Sequence, residues 1–390
     1  MKLRITFLYS GLIICLSLFL ILSGASGTAE ANTPPLNKYL TSSDLDINSG
    51  LISAPKDTIL SNSVPEPWSI ARMEAAQPYP TPNIQSLPTT RNSWEQPSGE
   101  PVFIPGIPPA DGAQDTPAAD PTSIQAIQSI AGYDYPAPYT RYENFDDYTL
   151  YPYSTIGVLF FTQRGADYRC SAAVVGENAV WTAGHCLHDG SGEPEGASVN
   201  VVFVPAYKNG SAPFDLWYAE DSNLKTLPEW ENNRDLRFDF GGAILNPNST
   251  DKTIQEVVGS LGFAYNLNPN QHWFNFGYPT ADPFNGTTMQ ICAGSFARNT
   301  ASYGFPYPMG MGCDLTPGSS GGPWIINFSG STGNTNYLNG NNSFRFTGYY
   351  EEINSPYFGE GAKDLLDMIS SNTRLRTNIH IPIVSSFGDK

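Results

Sequence analysis

From about residue 150 onward the chain is a series of short apolar runs, separated by Gly, Asn, Asp and Pro. The runs are rich in β-branched and aromatic residues, which fit a pleated, half-buried surface. Many short strands with frequent turn signals predict an all-β sandwich or barrel. The runs are STIGVLFFT (154–162), CSAAVVG (170–176), NAVWTA (178–183), VNVVFVP (199–205), FGGAIL (240–245), HWFNFGYP (272–279), TMQICAG (288–294), GPWIIN (322–327) and SFRFTGYY (343–350).

One stretch has the pattern of a helix. In AKDLLDMISSN (362–372) the side chains of Leu365, Leu366, Met368 and Ile369 fall on roughly one side of a helix. No internal repeat of fixed period is present in the sequence. The sequence therefore predicts an all-β protein with a C-terminal helix.

Residues 32–140 have a different composition, because 18 of the 33 prolines lie between residues 31 and 140. Proline lacks a backbone donor and fixes φ, so we expect neither a helix nor a central strand there. We interpret the segment as a Pro-rich propeptide or extended linker, removed or disordered in the active form. Arg141 and Arg91 are the candidate processing points. Hydrophobic islands such as GLISA (50–54) are candidates for docking on the following domain, residues 141–390.

Residues 1–31 have the features of an export signal. A basic start, MKLR, precedes the apolar run ITFLYSGLIICLSLFLIL, and small residues follow, with Ala29 and Ala31 in an A-x-A arrangement. These features predict cleavage after Ala31 and secretion; the alternative is an uncleaved membrane anchor. The net charge of −17 argues against nucleic acid or an anionic membrane surface as a partner.

Removal of the signal leaves four cysteines, Cys170, Cys186, Cys292 and Cys313. An even number in an exported chain predicts disulfides, and three connectivities are open. We favour the two sequence-local pairs, Cys170–Cys186 and Cys292–Cys313. No C-x-x-C spacing occurs, so we expect no metal and no cofactor. His188 and His272 are interpreted as surface or hydrogen-bonded polar residues.

Two motifs, GSSGGP (318–323) and WTAGHC (181–186), carry the chemistry. A serine is a weak nucleophile unless a histidine takes its proton, and the histidine needs a carboxylate to fix its tautomer. Backbone N–H groups must also converge on the oxyanion, which favours glycine nearby. We therefore predict Ser320 as nucleophile, His185 as base, and the amides of Gly318 and Ser320 as oxyanion hole.

These two motifs, in this order, resemble those of the chymotrypsin-like serine proteases over about residues 150–350. The resemblance implies two six-stranded antiparallel β-barrels with a catalytic triad in the cleft between them. The family order is His, Asp, Ser, and Asp239 in RFDFGGAIL (237–245) occupies the required place before an apolar strand. Asp235 is the rival candidate and Asp221 a weaker one.

The sequence departs from the pancreatic branch of this family. Ser319 stands where those members have Asp, and no IVGG-like start is present. We therefore expect no activation through a buried new N-terminus. The chain looks closer to the bacterial glutamyl-endopeptidase branch, which resembles V8 protease. Glutamate specificity is not implied, because the later His380 lies too far along the chain.

Three residues are candidates for substrate binding by the same resemblance. Asp314, six residues before Ser320, has the spacing of the acid that selects Lys or Arg in the trypsin subgroup. Ser343 and Arg345 lie in NNSFRF (341–346), which resembles the family's substrate-pairing strand. Either Asp314 pairs with a basic substrate side chain, or Arg345 binds an acidic one or neutralises Asp314.

Together these observations predict a secreted, monomeric serine endopeptidase that acts on proteins or peptides and is made as a zymogen. The alternative is a protease-fold binding module with weak or no activity. An esterase on an α/β-hydrolase fold does not fit, because GSSGGP lacks the G-x-S-x-G pattern of that fold.

Overall fold

A computed structural model of the chain describes residues 67–85, 99–110, 137–142, 146–300, 303–329 and 335–377. The predicted signal sequence with Ala31, the GLISA run, Arg91 and His380 lie outside these residues. The described residues belong to one unit of the chain, Ser63–Lys390.

The described residues form eighteen strands and four α-helices. The strands are β1 (Gln77–Pro78), β2 (Asn83–Ile84), β3 (Val102–Ile104), β4 (Tyr139–Tyr142), β5 (Ile156–Gln163), β6 (Ala166–Val174), β7 (Ala179–Thr182), β8 (Val199–Pro205), β9 (Trp217–Thr226), β10 (Gly241–Leu245), β11 (Gly262–Tyr265), β12 (His272–Gly277), β13 (Gln290–Asn299), β14 (Met309–Gly312), β15 (Pro323–Ile326), β16 (Tyr337–Asn341), β17 (Arg345–Phe346) and β18 (Glu352–Ser355). The helices are α1 (Ile70–Ala75), α2 (Pro228–Asn233), α3 (Ile254–Val258) and α4 (Glu360–Thr377).

Six antiparallel strands, β5 to β10, form a closed barrel. Their order is β6-β5-β8-β9-β10-β7, and pairing of β7 with β6 closes the circle. Leu159, Phe203 and Trp217 lie in its buried core. The first strands of the barrel coincide with the first apolar runs of the sequence, so the all-β prediction is confirmed.

A second sheet contains β12 at its centre. One arm runs β12-β13-β14-β18 and the other β12-β15-β16, all in antiparallel pairs. The two arms meet through an antiparallel bridge between Phe344 and Asn354, just after β16. Strands β3 and β4 add to this sheet, on β11 and β13. The closed six-stranded barrel with a second sheet agrees with the predicted chymotrypsin-like fold; the second sheet has nine strands among the described residues, and β11 joins it in parallel to β16.

The C-terminal helix is α4, and it is longer than the predicted range 362–372. Leu365 and Ile369 are fully buried, and the helix packs against β10 of the barrel. In the described part of the chain, no helix is long and apolar enough to cross a membrane.

Three short helices were not expected from the sequence. Each is one to two turns long, too short for a periodic apolar pattern to emerge. Side-chain caps stabilise α1 and α3, and α2 begins with a proline in its first turn. In α3, Thr253 and Glu256 form a capping box, a T-x-x-E signal that the sequence contains.

The prediction of no helix in residues 32–140 is wrong for α1. Ser69 caps this helix by accepting a hydrogen bond from the Arg72 amide, and Met73 is buried. The strands of this region lie at sheet edges, where a missing proline donor is tolerated. The expected domain boundary at residue 140 falls inside β4, so the division into domains stays a prediction.

Candidate active site

His185 lies in a one-turn 3-10 helix, Gly184–Cys186, directly after β7. The Cys170–Cys186 disulfide ties this turn to β6. The imidazole is 2 % exposed. Trp230 packs near its ring, with 6.2 Å between the ring centroids. The histidine therefore has a fixed backbone and a fixed ring environment.

Asp239 reaches the histidine from the end of the 3-10 helix Leu236–Phe238, just before β10. Its Oδ2 lies 2.8 Å from His185 Nδ1, and its Oδ1 accepts from the His185 amide at 2.8 Å. The Ser343 hydroxyl also donates to Oδ2. Asp239 is 0 % exposed. A carboxylate facing Nδ1 makes that nitrogen the donor and leaves Nε2 free to accept a proton.

The other two candidate acids lie elsewhere. Asp235 caps the 3-10 turn before Asp239 and forms an ion pair with Arg237 at 2.6 Å. Asp221 accepts a hydrogen bond from the amide of Asn200. Of the three acids considered, Asp239 is the one in contact with His185.

Ser320 lies in a tight loop between the two sheets. Gly318 has φ +97° and Gly321 has φ +78°, a region that glycine adopts without strain. A Cβ on Gly321 would lie 2.1 Å from Thr182 Oγ1, so this position has no room for a side chain. The Ser320 carbonyl accepts from the Ser171 amide of β6 at 2.7 Å. The loop is thus attached to the barrel that carries His185.

The serine and the histidine are close to a segment from the Pro-rich region. Ser320 Oγ lies 3.4 Å from Thr81 Oγ1. His185 Nε2 is buried and has no hydrogen-bond partner among the described residues. Neither the Gly318 nor the Ser320 amide donates to a carbonyl within the described ranges, so both remain available to an oxyanion.

A buried asparagine holds the serine loop, and sequence reasoning missed it. Asn342 donates to the Ser319 carbonyl at 3.0 Å, and its own carbonyl accepts from the Gly321 amide at 2.8 Å. Its side-chain oxygen accepts from Asn275 at 2.7 Å and Trp324 at 2.8 Å. The available signal was the asparagine-rich run NGNN (339–342), directly before the run SFRFTGYY.

The three candidate substrate-binding residues have different environments. Asp314 forms an ion pair with Arg141 of β4 at 2.8 Å, and its side chain is 25 % exposed. The Arg345 guanidinium donates to the carbonyls of Cys313, Leu315 and Tyr350. Ser343 binds Asp239, as described above. Asp314 therefore already has a cationic partner, Arg141.

The remaining candidates from the sequence also have definite places. Cys292 and Cys313 form the second disulfide, between β13 and the loop before Ser320.

His188 Nδ1 accepts from the Gly190 amide at 3.0 Å, and His272 Nδ1 lies 3.0 Å from Ser295 Oγ. Both histidines are hydrogen-bonded polar residues.

Comparison with solved structures finds bacterial proteases. The structure of protease Anisep from Arthrobacter nicotinovorans is 35% identical, with a TM-score of 0.51; the match covers 56% of this chain and 96% of that one. The thermostable serine protease AL20 from an extremophilic microorganism is 36% identical, with a TM-score of 0.50, over 56% of this chain and 97% of that one. A scan of protein-family models finds no match, and neither does a search of curated proteins.

Proposed function

Because the chain belongs to the chymotrypsin-like serine proteases, we propose that it is a secreted endopeptidase with His185, Asp239 and Ser320 as its catalytic triad. The observation that carries the proposal is the contact between the fully buried Asp239 carboxylate and His185 Nδ1. A buried acid in this position fixes the tautomer of the histidine and stabilises the imidazolium that forms during reaction.

The proposed reaction proceeds through an acyl-enzyme. Ser320 Oγ attacks the carbonyl carbon of the peptide bond while His185 Nε2 takes its proton. The amides of Gly318 and Ser320 bind the negative oxygen of the tetrahedral intermediate. His185 then gives the proton to the departing amine, and water, activated by the same nitrogen, hydrolyses the ester on Ser320.

Two further observations support secretion. Both disulfides fit an oxidising compartment such as the extracellular space. The first 31 residues have the features of an export signal. N-terminal sequencing of material from the culture medium tests this proposal, and a membrane-bound product that begins at Met1 would contradict it.

The test of the triad is covalent labelling with a fluorophosphonate probe. We expect Ser320→Ala to abolish both labelling and proteolysis. The matched control is Ser319→Ala, because this neighbouring hydroxyl donates to the Thr316 carbonyl instead. Its loss costs about 1 kcal/mol of stability and leaves the reaction intact. Labelling that survives in Ser320→Ala contradicts the assignment. A processed, folded wild type that neither labels nor cleaves favours the binding-module alternative.

A further inference from the structure

Residues 68–76 attach the Pro-rich region to the protease fold. Trp68 is 5 % exposed and Met73 is 3 % exposed, and both belong to a hydrophobic core that includes barrel residues. Arg72 forms an ion pair with Asp167 at 2.7 Å and stacks over the Trp68 ring at 4.1 Å. We call residues 68–76 the anchor.

The next residues, 77–84, cross the cleft at the catalytic groups, and we call them the cleft segment. Its first strand, β1, pairs with β6, and the Tyr79 amide donates to the Arg169 carbonyl at 3.0 Å. The Tyr79 ring stacks on His185, with centroids 5.4 Å apart and an angle of 26°. Thr81 Oγ1 then lies at the Ser320 hydroxyl. The segment therefore covers the His185 ring and places the Thr81 hydroxyl beside the Ser320 hydroxyl.

Beyond Ser320 the cleft segment continues along the predicted substrate-pairing strand. Its second strand, β2, pairs with β17. The Arg345 amide donates to the Pro82 carbonyl at 3.0 Å, and the Thr347 amide donates to the Ile84 carbonyl at 2.8 Å. Backbone pairing of this kind is how an extended peptide adds to a sheet edge.

The chain direction of the cleft segment is opposite to that of a hydrolysable substrate. His185 must protonate the departing amine, so the C-terminal half of a substrate leaves on the His185 side and the N-terminal half lies along Arg345. In the structure the N-terminal residues, around Tyr79, lie at His185, and the C-terminal residues lie along β17. Both strand pairs are parallel, with Pro78 opposite Arg169 and Asn83 opposite Arg345.

The composition of the cleft segment also opposes cleavage. Pro80 and Pro82 flank Thr81, so the amide nitrogen after Thr81 belongs to a proline ring. Burial raises the pKa of Tyr79 to about 12, so its ring stays neutral over the histidine. The carbonyls of Pro82 and Ile84 accept hydrogen bonds from the amides of Arg345 and Thr347.

We propose that residues 77–84 are an intramolecular inhibitor that binds the active-site cleft in the reverse chain direction. The proposal rests on the triad proposed above and adds the regulation of that site. It makes the Pro-rich region a latency device, which is released when the chain is cut and the anchor dissociates.

The test compares fluorophosphonate labelling of the intact secreted chain and the processed chain, separated on a gel. We expect the intact wild type to label at least tenfold more slowly than the processed form. Tyr79→Ala removes the ring over His185 and should speed labelling of the intact chain at least tenfold. Arg72→Ala, which weakens the anchor, is a second variant in case Tyr79→Ala does not fold. Ile70→Ala is the control, because Ile70 is 59 % exposed on the same helix.

Each outcome separates the inhibitor from the triad. Equal labelling of intact and processed wild type overturns the inhibitor but leaves the triad in place. No gain in either Tyr79→Ala or Arg72→Ala also overturns it. Absence of labelling in every form, processed included, overturns the triad itself.

The chain direction has its own readout, which is peptide mapping by mass spectrometry. We expect no cut within residues 77–84 that depends on Ser320. A cut between Tyr79 and Pro82 that appears in the active chain and is absent from Ser320→Ala would mean that the segment binds as a substrate, and the reverse direction would be wrong.

Discussion

Asp239 accepts hydrogen bonds from three donors in a space closed to solvent. They are the His185 amide, the His185 ring nitrogen and the Ser343 hydroxyl. An ionised carboxylate is an acceptor for all three, whereas an amide at this position presents an NH₂ group to at least one donor. The acid therefore determines which ring nitrogen of His185 carries the proton.

We expect Asp239→Asn to lower kcat by on the order of 10⁴, because the wrong tautomer of His185 cannot accept the proton of Ser320. The measurement is turnover of a peptide substrate by the processed protein, with circular dichroism to verify the fold. The control is Asp235→Asn, since Asp235 pairs with Arg237 and not with the histidine. A kcat for Asp239→Asn within tenfold of wild type would show that another group orients the base.

Glu352 of β18 is fully buried beside Arg298, and the Arg298 Nε lies 3.0 Å from the Glu352 Oε2. Burial raises the pKa of Glu352 to about 7, against the opposing effects of Arg298 and Arg345. In the unfolded chain this carboxyl loses its proton near its ordinary pKa of 4.5. Between these two values the folded state holds the proton and the unfolded state does not. The stability contribution of Glu352 therefore falls as pH rises from about 4.5 to 7 and is constant above that range.

We expect Glu352→Gln to remove this dependence. In a Ser320→Ala background, which prevents self-digestion, the free energy of unfolding of the Glu352 chain should drop by on the order of 3 kcal/mol relative to the Gln variant between acidic and neutral pH. Urea titrations at several pH values measure the difference. Parallel profiles for the two chains would show that Glu352 titrates normally.

At the scale of elements, the strands that the sequence predicts are those whose buried positions hold apolar residues. Strands β5 and β8 have long runs of Val, Ile, Leu and Phe, and both were predicted. Strand β9 was missed because its outer part, EDSN (220–223), is polar and largely exposed. Strands β14 (MGMG) and β16 (YLNGN) are buried throughout, yet glycines and asparagines interrupt their apolar residues, so neither forms an apolar run in the sequence.

The cleft segment was missed for a different reason. Its prolines, at 78, 80 and 82, predicted neither a helix nor a central strand, and no edge pairing was assigned to it. Proline lacks a donor but keeps its carbonyl, and residues at alternate positions along a strand face the same side. Tyr79 supplies the donor on one side of the cleft and Pro82 supplies an acceptor on the other. Prolines at every second residue therefore remove donors from one side of the segment only, and the segment can still pair with the edge of a sheet.

The candidate substrate-binding residues Asp314 and Arg345 give a prediction at this scale. Asp314 already pairs with Arg141, and the buried Arg345 guanidinium binds three carbonyls of the surrounding loops. We expect Arg345→Ala to increase cleavage after Lys and Arg at least tenfold relative to other residues, because carbonyl acceptors are then left for a substrate cation. Asp314→Ser should leave the selectivity of the enzyme unchanged. Profiling of cleavage sites in a peptide library measures both, and a loss of basic selectivity in Asp314→Ser would reverse the roles.

At the scale of the whole molecule, helix α4 packs into a hydrophobic cluster to which strands of both sheets contribute. Ile369 and Leu365 are fully buried in the cluster that also contains Trp181 and Phe263. The helix therefore packs against strands of both sheets.

We expect Ile369→Ala to lower the free energy of unfolding by about 2–5 kcal/mol, the usual cost of a cavity in a core. The adjacent Met368→Ala is the control, because Met368 is 39 % exposed. Thermal unfolding in the Ser320→Ala background measures stability, and kcat at low temperature should be unchanged in the active chain. Equal melting temperatures for the two variants would show that α4 is dispensable for the core.

The anchor has a consequence for the concentration at which the enzyme becomes active. While the chain is intact, the cleft segment is held at an effective concentration in the millimolar range, as a short tether provides. A cut in the chain after Gln85 leaves the anchor seated through Trp68 and Met73, so latency persists until the freed peptide is diluted below its dissociation constant. Activation then depends on volume as well as on proteolysis: in a confined space the cut protein remains silent, and on release into a large volume it becomes active.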